Sequence, residues 1–284
     1  MPPYRLTADD RQAFERDGFF IVPGLFDADE TGLLARAMEV DPSILGHTNA
    51  MRDNGGASTR IALWNHPGDS VYGMAARSHR LVDTMDGLLG GEVYHYHSKL
   101  TAKEPFEGGA WEWHQDYGYW YNNGCLFPLM ATCMIALDRS DRGNGCLQVL
   151  KGSHAMGRID HKYLDGKQVG ADPDRVEEAK KILDLIYCEM DPGDGLFFHC
   201  NLLHRSDQNR SARRRWTMLC SYNAARNNPT IVHHHPQYTK LHKVADTELK
   251  RVGLRLAEGH SEDFMEGVKA TPDDPWRKGE LAAK

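Results

Sequence analysis

The chain has 284 residues, 40% of them hydrophobic and 26% charged, with a formal net charge of −6. This balance excludes a disordered chain, and the acidic excess argues against general nucleic-acid binding. No apolar run approaches a membrane span, and Met1-Pro2-Pro3-Tyr4-Arg5 leads into charged sequence without a signal-peptide pattern, so the expectation is a soluble cytoplasmic protein without nucleic-acid or membrane partners.

The first predicted element is a short helix with Thr7 as N-cap, ended by Gly18. Phe19-Phe20-Ile21-Val22 reads as a buried strand closed by Pro23-Gly24. Asp27 caps a second helix running to about Val40. Residues 41–60, with Gly46, Gly55 and Gly56, read as a loop, and the spacing predicts another helix over 78–89, stopped by Gly90-Gly91. The character then changes. Residues 92–101 are rich in β-formers, 128–138 is an apolar run, and 145–150 and 216–222 are short strands. Asp191-Pro192-Gly193-Asp194-Gly195 is a tight turn before Leu196-Phe197-Phe198. Strands separated by Gly/Pro turns point to an antiparallel sandwich or barrel. One amphipathic helix is expected over 172–187, carrying Val176, Ala179, Ile182, Leu183 and Ile186. The tail from Pro236 is weakly helical and then polar, with Pro272 and Pro275. The expectation is one domain over 1–284: a helical part to about 91, a β core over about 92–230, and an extension over about 231–284.

Six cysteines are scattered without a Cys-x-x-Cys pair, so they read as buried free thiols rather than a metal ribbon or redox motif. The chemistry concentrates in Trp113-His114-Gln115-Asp116-Tyr117. On an extended backbone His114 and Asp116 project to the same side and can share one metal ion. With a second histidine they make the two-His-one-carboxylate set of non-heme iron(II) oxygenases. His199 and His204 both qualify for that place; their opposite parity makes it one or the other. Arg215 opens the 216–222 strand, where a guanidinium can grip a carboxylate in bidentate fashion. Trp113, Tyr117, Trp120 and Tyr121 are candidate pocket walls, with core packing the equal alternative. His154 reads as structural, and His233-His234-His235 as a loop, because adjacent rings do not easily converge on one ion.

Residues 10–230 resemble the phytanoyl-CoA dioxygenase family of iron(II)/2-oxoglutarate oxygenases. The resemblance rests on Phe14-Glu15-Arg16-Asp17-Gly18-Phe19-Phe20, on His114-Gln115-Asp116, on the strand ending Gly152-Ser153-His154, and on Pro192-Gly193-Asp194 followed by His204, Ser206 and Arg215. It implies a mainly β fold with flanking helices, a double-stranded β-helix (jelly roll, cupin-like). It further implies that His114, Asp116 and His204 ligate iron(II), that Arg215 and Ser206 bind 2-oxoglutarate, and that O2 is consumed with succinate and CO2 as co-products. The bacterial members that hydroxylate ectoine or free proline look nearest. Where these carry a Gln and an Asn toward 2-oxoglutarate, this chain has His97 and Thr101, and Lys99 replaces an Arg beside the substrate. Trp120 joins the co-substrate side; Lys99, Trp113, Tyr117 and Lys103 are assigned to the substrate side. The implied substrate is a small polar metabolite, amino-acid-like or otherwise anionic, hydroxylated at an unactivated C–H. The alternatives are a non-catalytic 2-oxoglutarate or metabolite sensor, and a metal-dependent hydrolase or isomerase on a cupin-type barrel.

Overall fold

A computed structural model describes residues 4–53, 55–164, 168–232, 234–256 and 264. The expected polar tail with Pro272 and Pro275, and His233, lie outside the described residues.

Capping sets the helical ends as the side chains suggest. Helix α1 (Ala8–Asp17) starts with a reciprocal box, Thr7 accepting from the Asp10 N–H and Asp10 accepting from the Thr7 N–H, and stops where Gly18 takes φ 85°. Strand β1 (Phe19–Val22) follows, then α2 (Ala28–Val40), whose Asp27 cap and Glu30 form a second box. The 41–60 stretch is not a loop. It holds α3 (Pro42–Gly46), β2 (Asn49–Arg52) and the start of β3 (Ser58–Trp64). Helices α4 (Val71–Arg77) and α5 (His79–Leu89) complete the N-terminal part, which therefore adds three strands to the sheet as well as helices.

The β region supplies β4 (Val93–Lys103), β5 (Trp111–His114), a short α6 (Asp116–Trp120), β6 (Met130–Ala136), β7 (Leu147–Leu150), β8 (His161–Leu164) and β9 (Gln168–Ala171). Helix α7 (Pro173–Ile182) is shorter than the periodicity suggests. Leu183 turns extended, and β10 (Leu185–Cys188) then pairs with β7. Ladder hydrogen bonds on the sheet edge thus override the helical pattern of Leu183 and Ile186. Strands β11 (Gly195–His199), β12 (His204–Ser206) and β13 (Arg215–Ala224) and a last helix, α8 (Glu248–Val252), complete the described chain.

Two antiparallel sheets face each other, a seven-stranded one (β1-β11-β6-β13-β4-β3-β2) and a four-stranded one (β10-β7-β12-β5), with β8–β9 as a separate hairpin. This is the expected jelly roll with flanking helices. The period-2 alternation divides the large sheet cleanly. Leu100, Ala102, Cys133, Ile135, Phe197, Met218 and Cys220 face the helices and form the main core with Leu34, Val71 and Leu81. The space between the sheets has two unlike halves. One is a dry core of Met134, Val149, Leu196, Phe198 and Leu219. The other is bounded by β4, β13, β5 and β12 and is lined by polar side chains. No described helix is long and apolar enough to cross a membrane.

Candidate active site

His114 and His204 are direct cross-strand partners on β5 and β12. Their rings lie 4.1 Å apart, centroid to centroid. Asp116, the first residue of α6, brings Oδ1 to 3.9 Å from His114 Nε2 and 4.0 Å from His204 Nε2. All three residues are buried. His114 Nδ1 sits 2.7 Å from the Glu112 carbonyl and His204 Nδ1 2.9 Å from the Leu202 carbonyl. A carbonyl only accepts, so each Nδ1 carries the proton and each Nε2 turns a lone pair toward Asp116. Burial pushes both imidazoles below their ordinary pKa, which keeps them neutral. Two neutral nitrogen donors and one carboxylate, within 4.8 Å of one another, fit a divalent first-row metal.

His199 is excluded from this set. It lies between Phe14 and His154, and its Nδ1 accepts the Asn201 N–H. His154 packs against it and bonds the Glu15 carbonyl, holding the α1 turn.

Along β4 the inner-facing positions are His97, Lys99, Thr101 and Lys103. Thr101 Oγ1 meets Thr217 Oγ1 at 2.7 Å. Lys103 Nζ donates to Ser206 Oγ at 2.8 Å and to the Asp207 carbonyl. Arg215 is the direct cross-strand partner of Lys103. Both cations are buried, at 3% and 1% exposure, and neither has an ion-pair partner among the described residues. Arg215 Nε has no hydrogen-bond partner among the described residues. Burial lowers the Arg215 guanidinium to about 10 and, with Arg215 beside it, pushes Lys103 well below the usual ammonium range. Two desolvated cations placed opposite each other repel; the Asp207 and Asp53 charges act on Lys103 and the Asp138 charge on Arg215 without a direct ion pair, so an arriving anion is favoured here. Lys103, assigned above to the substrate side, thus shares the Ser206–Arg215 end. Lys99 is less deeply buried and lacks a charged partner among the described residues; its charge acts on His97, His114 and His204.

The aromatic walls separate into different places. Trp113 points away from the triad into a cluster with Leu150, Ile159, Val176 and Leu203. His114 takes the inner face, so its neighbour must take the outer one; Trp113 is packing, not substrate wall. Tyr117 packs with Tyr94, Tyr96 and Trp120 and donates its hydroxyl to the Cys125 carbonyl. Trp120 stands edge-on to His97 at 5.6 Å. His235 stacks on His97 at 5.0 Å and on Tyr96 at 4.5 Å, so one ring of the histidine triplet does reach this region. Its sequence signal was only the triplet itself.

A model of the family described as phytanoyl-CoA dioxygenase matches residues 14–217. The chain belongs to the phytanoyl-CoA dioxygenase family. It is 28% identical to the ectoine dioxygenase of Bordetella parapertussis over 236 residues, covering 78% of this chain and 77% of that one. It is 29% identical to the L-proline trans-4-hydroxylase of Streptomyces griseoviridis over 241 residues, covering 78% and 88%. EctD from S. alaskensis, solved with 2-oxoglutarate and 5-hydroxyectoine, has the same fold, with TM-score 0.68 and 24% identity over 89% of this chain and 87% of that one. This family member is an iron(II)/2-oxoglutarate-dependent dioxygenase, which sets aside the sensor and hydrolase alternatives.

Proposed function

We propose that the enzyme hydroxylates a C–H bond of a small amino-acid-like carboxylate, and that its parts divide as follows. His114, Asp116 and His204 hold iron(II). Arg215, Lys103 and Ser206 receive the distal carboxylate of 2-oxoglutarate, with Thr101 beside them. Bound iron supplies oxygen activation, coupled to conversion of 2-oxoglutarate into succinate and CO2. The protein's own contribution is placement. The cation pair fixes one end of the co-substrate, the tautomers of His114 and His204 present Nε2, and Lys99 meets the anionic group of the substrate. The enzyme works in a reducing cytoplasm; six buried free thiols support this.

The observation that carries the reading is the Lys103–Arg215 pair. Two facing buried cations without a direct ion pair among the described residues carry a desolvation and repulsion cost that a carboxylate arriving as ligand offsets. The test is succinate formation from 2-oxoglutarate with iron(II) and a panel of small carboxylates. Substrate-stimulated succinate is expected from the wild type and should vanish in His204→Ala. Arg215→Ala should raise the KM for 2-oxoglutarate by about 100-fold or more, the scale of a lost buried charge-assisted pair. Wild-type-like activity in either variant would refute the assignment.

A further inference from the structure

On the inner face of β4, Thr101 and Lys103 go to the co-substrate and Lys99 to the anionic group of the substrate, which leaves His97, placed by the resemblance where relatives direct a Gln toward 2-oxoglutarate. It is 3% exposed, and its Nδ1 has no hydrogen-bond partner among the described residues. Its Nε2 lies 3.3 Å from Ser221 Oγ. Ser221 Oγ is 2.9 Å from Thr132 Oγ1, and Thr132 Oγ1 donates to Asp116 Oδ2 at 3.5 Å.

The direction of this chain is determined by proton inventory. Asp116 as a metal-binding carboxylate only accepts, so the Thr132 hydroxyl spends its proton there. Thr132 must then accept from Ser221. Ser221 has one proton, already given, so it accepts from His97. The proton on His97 is therefore on Nε2. Burial and the neighbouring Lys99 charge disfavour the doubly protonated ring. What remains at Nδ1 is a buried lone pair, an acceptor without a donor. Such an atom costs free energy until a donor reaches it. His235 stacked on one face and Trp120 at the edge hold the ring in place.

We infer that His97 selects the substrate by accepting a hydrogen bond at Nδ1, so that the substrate carries an N–H or O–H donor beside the anionic group that Lys99 meets. Through Ser221 and Thr132 the same imidazole is joined to the iron-binding carboxylate, which makes His97 a specificity residue wired to Asp116. This deepens the function proposed above and rests on it.

Two measurements decide it. The first uses matched pairs of small carboxylates, each amino acid against its trimethylammonium betaine and each hydroxy acid against its methyl ether, read as stimulated succinate formation. The donor-bearing member is expected to exceed its blocked partner by about tenfold or more in kcat/KM. In His97→Gln, whose amide occupies the Nε2 position without an acceptor at Nδ1, the ratio should fall to within about twofold. Equal turnover of both members by the wild type, or a full ratio in His97→Gln, overturns this inference while leaving the hydroxylase reading intact. A panel without any stimulating member overturns both. The second measurement needs no substrate: 15N NMR of histidine-labelled full chain loaded with zinc(II), with His97→Gln assigning the signal. The Nε2–H tautomer is expected at pH 7, and Ser221→Ala should erase that preference. An Nδ1–H tautomer or an imidazolium at pH 7 overturns the relay.

Discussion

At the scale of single residues, Lys103 and Arg215 show stability and function pulling in opposite directions. Each is desolvated and faces the other across β4 and β13. In the absence of co-substrate their mutual repulsion and lost hydration work against folding. Lys103→Met keeps the length of the side chain and removes the charge. It should therefore stabilise the protein without 2-oxoglutarate by about 1–2 kcal/mol, while weakening 2-oxoglutarate binding about tenfold, the scale of one charge-assisted hydrogen bond. Thermal melts with and without 2-oxoglutarate check both signs. A variant that melts below the wild type without ligand would show that Lys103 is held by Ser206 and the Asp207 carbonyl alone. The same pair marks what was legible in the sequence and what was not. His114, Asp116 and Arg215 could be picked out because their chemistry is tied to local spacing. Lys103 was read only as a cation beside Lys99 on the substrate side, because its place next to Ser206 and Arg215 comes from pairing with a strand more than a hundred residues later.

At the scale of elements, caps were read well because they are local: Thr7, Asp27 and Gly18 act through hydrogen bonds and backbone angles within a turn. Strands without a clear apolar run and turn of their own were read poorly. β2 reads Asn49-Ala50-Met51-Arg52, with no continuous apolar signal, and forms because β3 is there to pair with it. β10 takes residues from a helical pattern for the same reason. The β8–β9 hairpin was also missed, and it buttresses the metal site. His161 at its start accepts the Gln115 N–H at 2.9 Å, and Gln115 donates in turn to the Gly157 and Asn201 carbonyls. The residue between two metal ligands is thereby tied to both the hairpin and the loop before His204. Close approach at Gly118 of α6 makes this contact possible: a Cβ there would lie 2.1–2.3 Å from the His161 ring. Gly118→Ala must push the hairpin away. It should cost about 1–3 kcal/mol in stability, as overpacking does, and weaken iron binding about tenfold through loss of outer support. Denaturant unfolding and iron titration together test it; an unchanged iron affinity would mean that the hairpin is only a cover.

For the whole molecule, the relevant quantity is the number of imidazoles held neutral by burial. His95, His161 and His199 are each pushed down to about 4. They sit in different parts of the fold: His95 on β4, His161 on the hairpin and His199 at the end of β11. In the unfolded chain each would titrate near 6.5. Above that pH neither state binds the proton and these groups leave stability unchanged. Between 6.5 and 4 the unfolded chain binds protons that the folded one refuses, so stability falls as pH falls. A shift of this size is worth on the order of 3 kcal/mol per histidine by pH 4. Three such sites together rival the whole stability of a typical domain, about 5–15 kcal/mol. The enzyme should therefore lose stability steeply through pH 6 and 5 and unfold in acid well before its carboxylates are protonated. Iron-loaded protein should resist more than protein stripped with chelator, because protons and metal compete for His114 and His204. Urea midpoints at pH 7.5, 6.0 and 5.0, with and without chelator, check this. A midpoint that stays constant across that range would show that these rings gain protons inside the fold and that the interior around β4 and β11 is open to water.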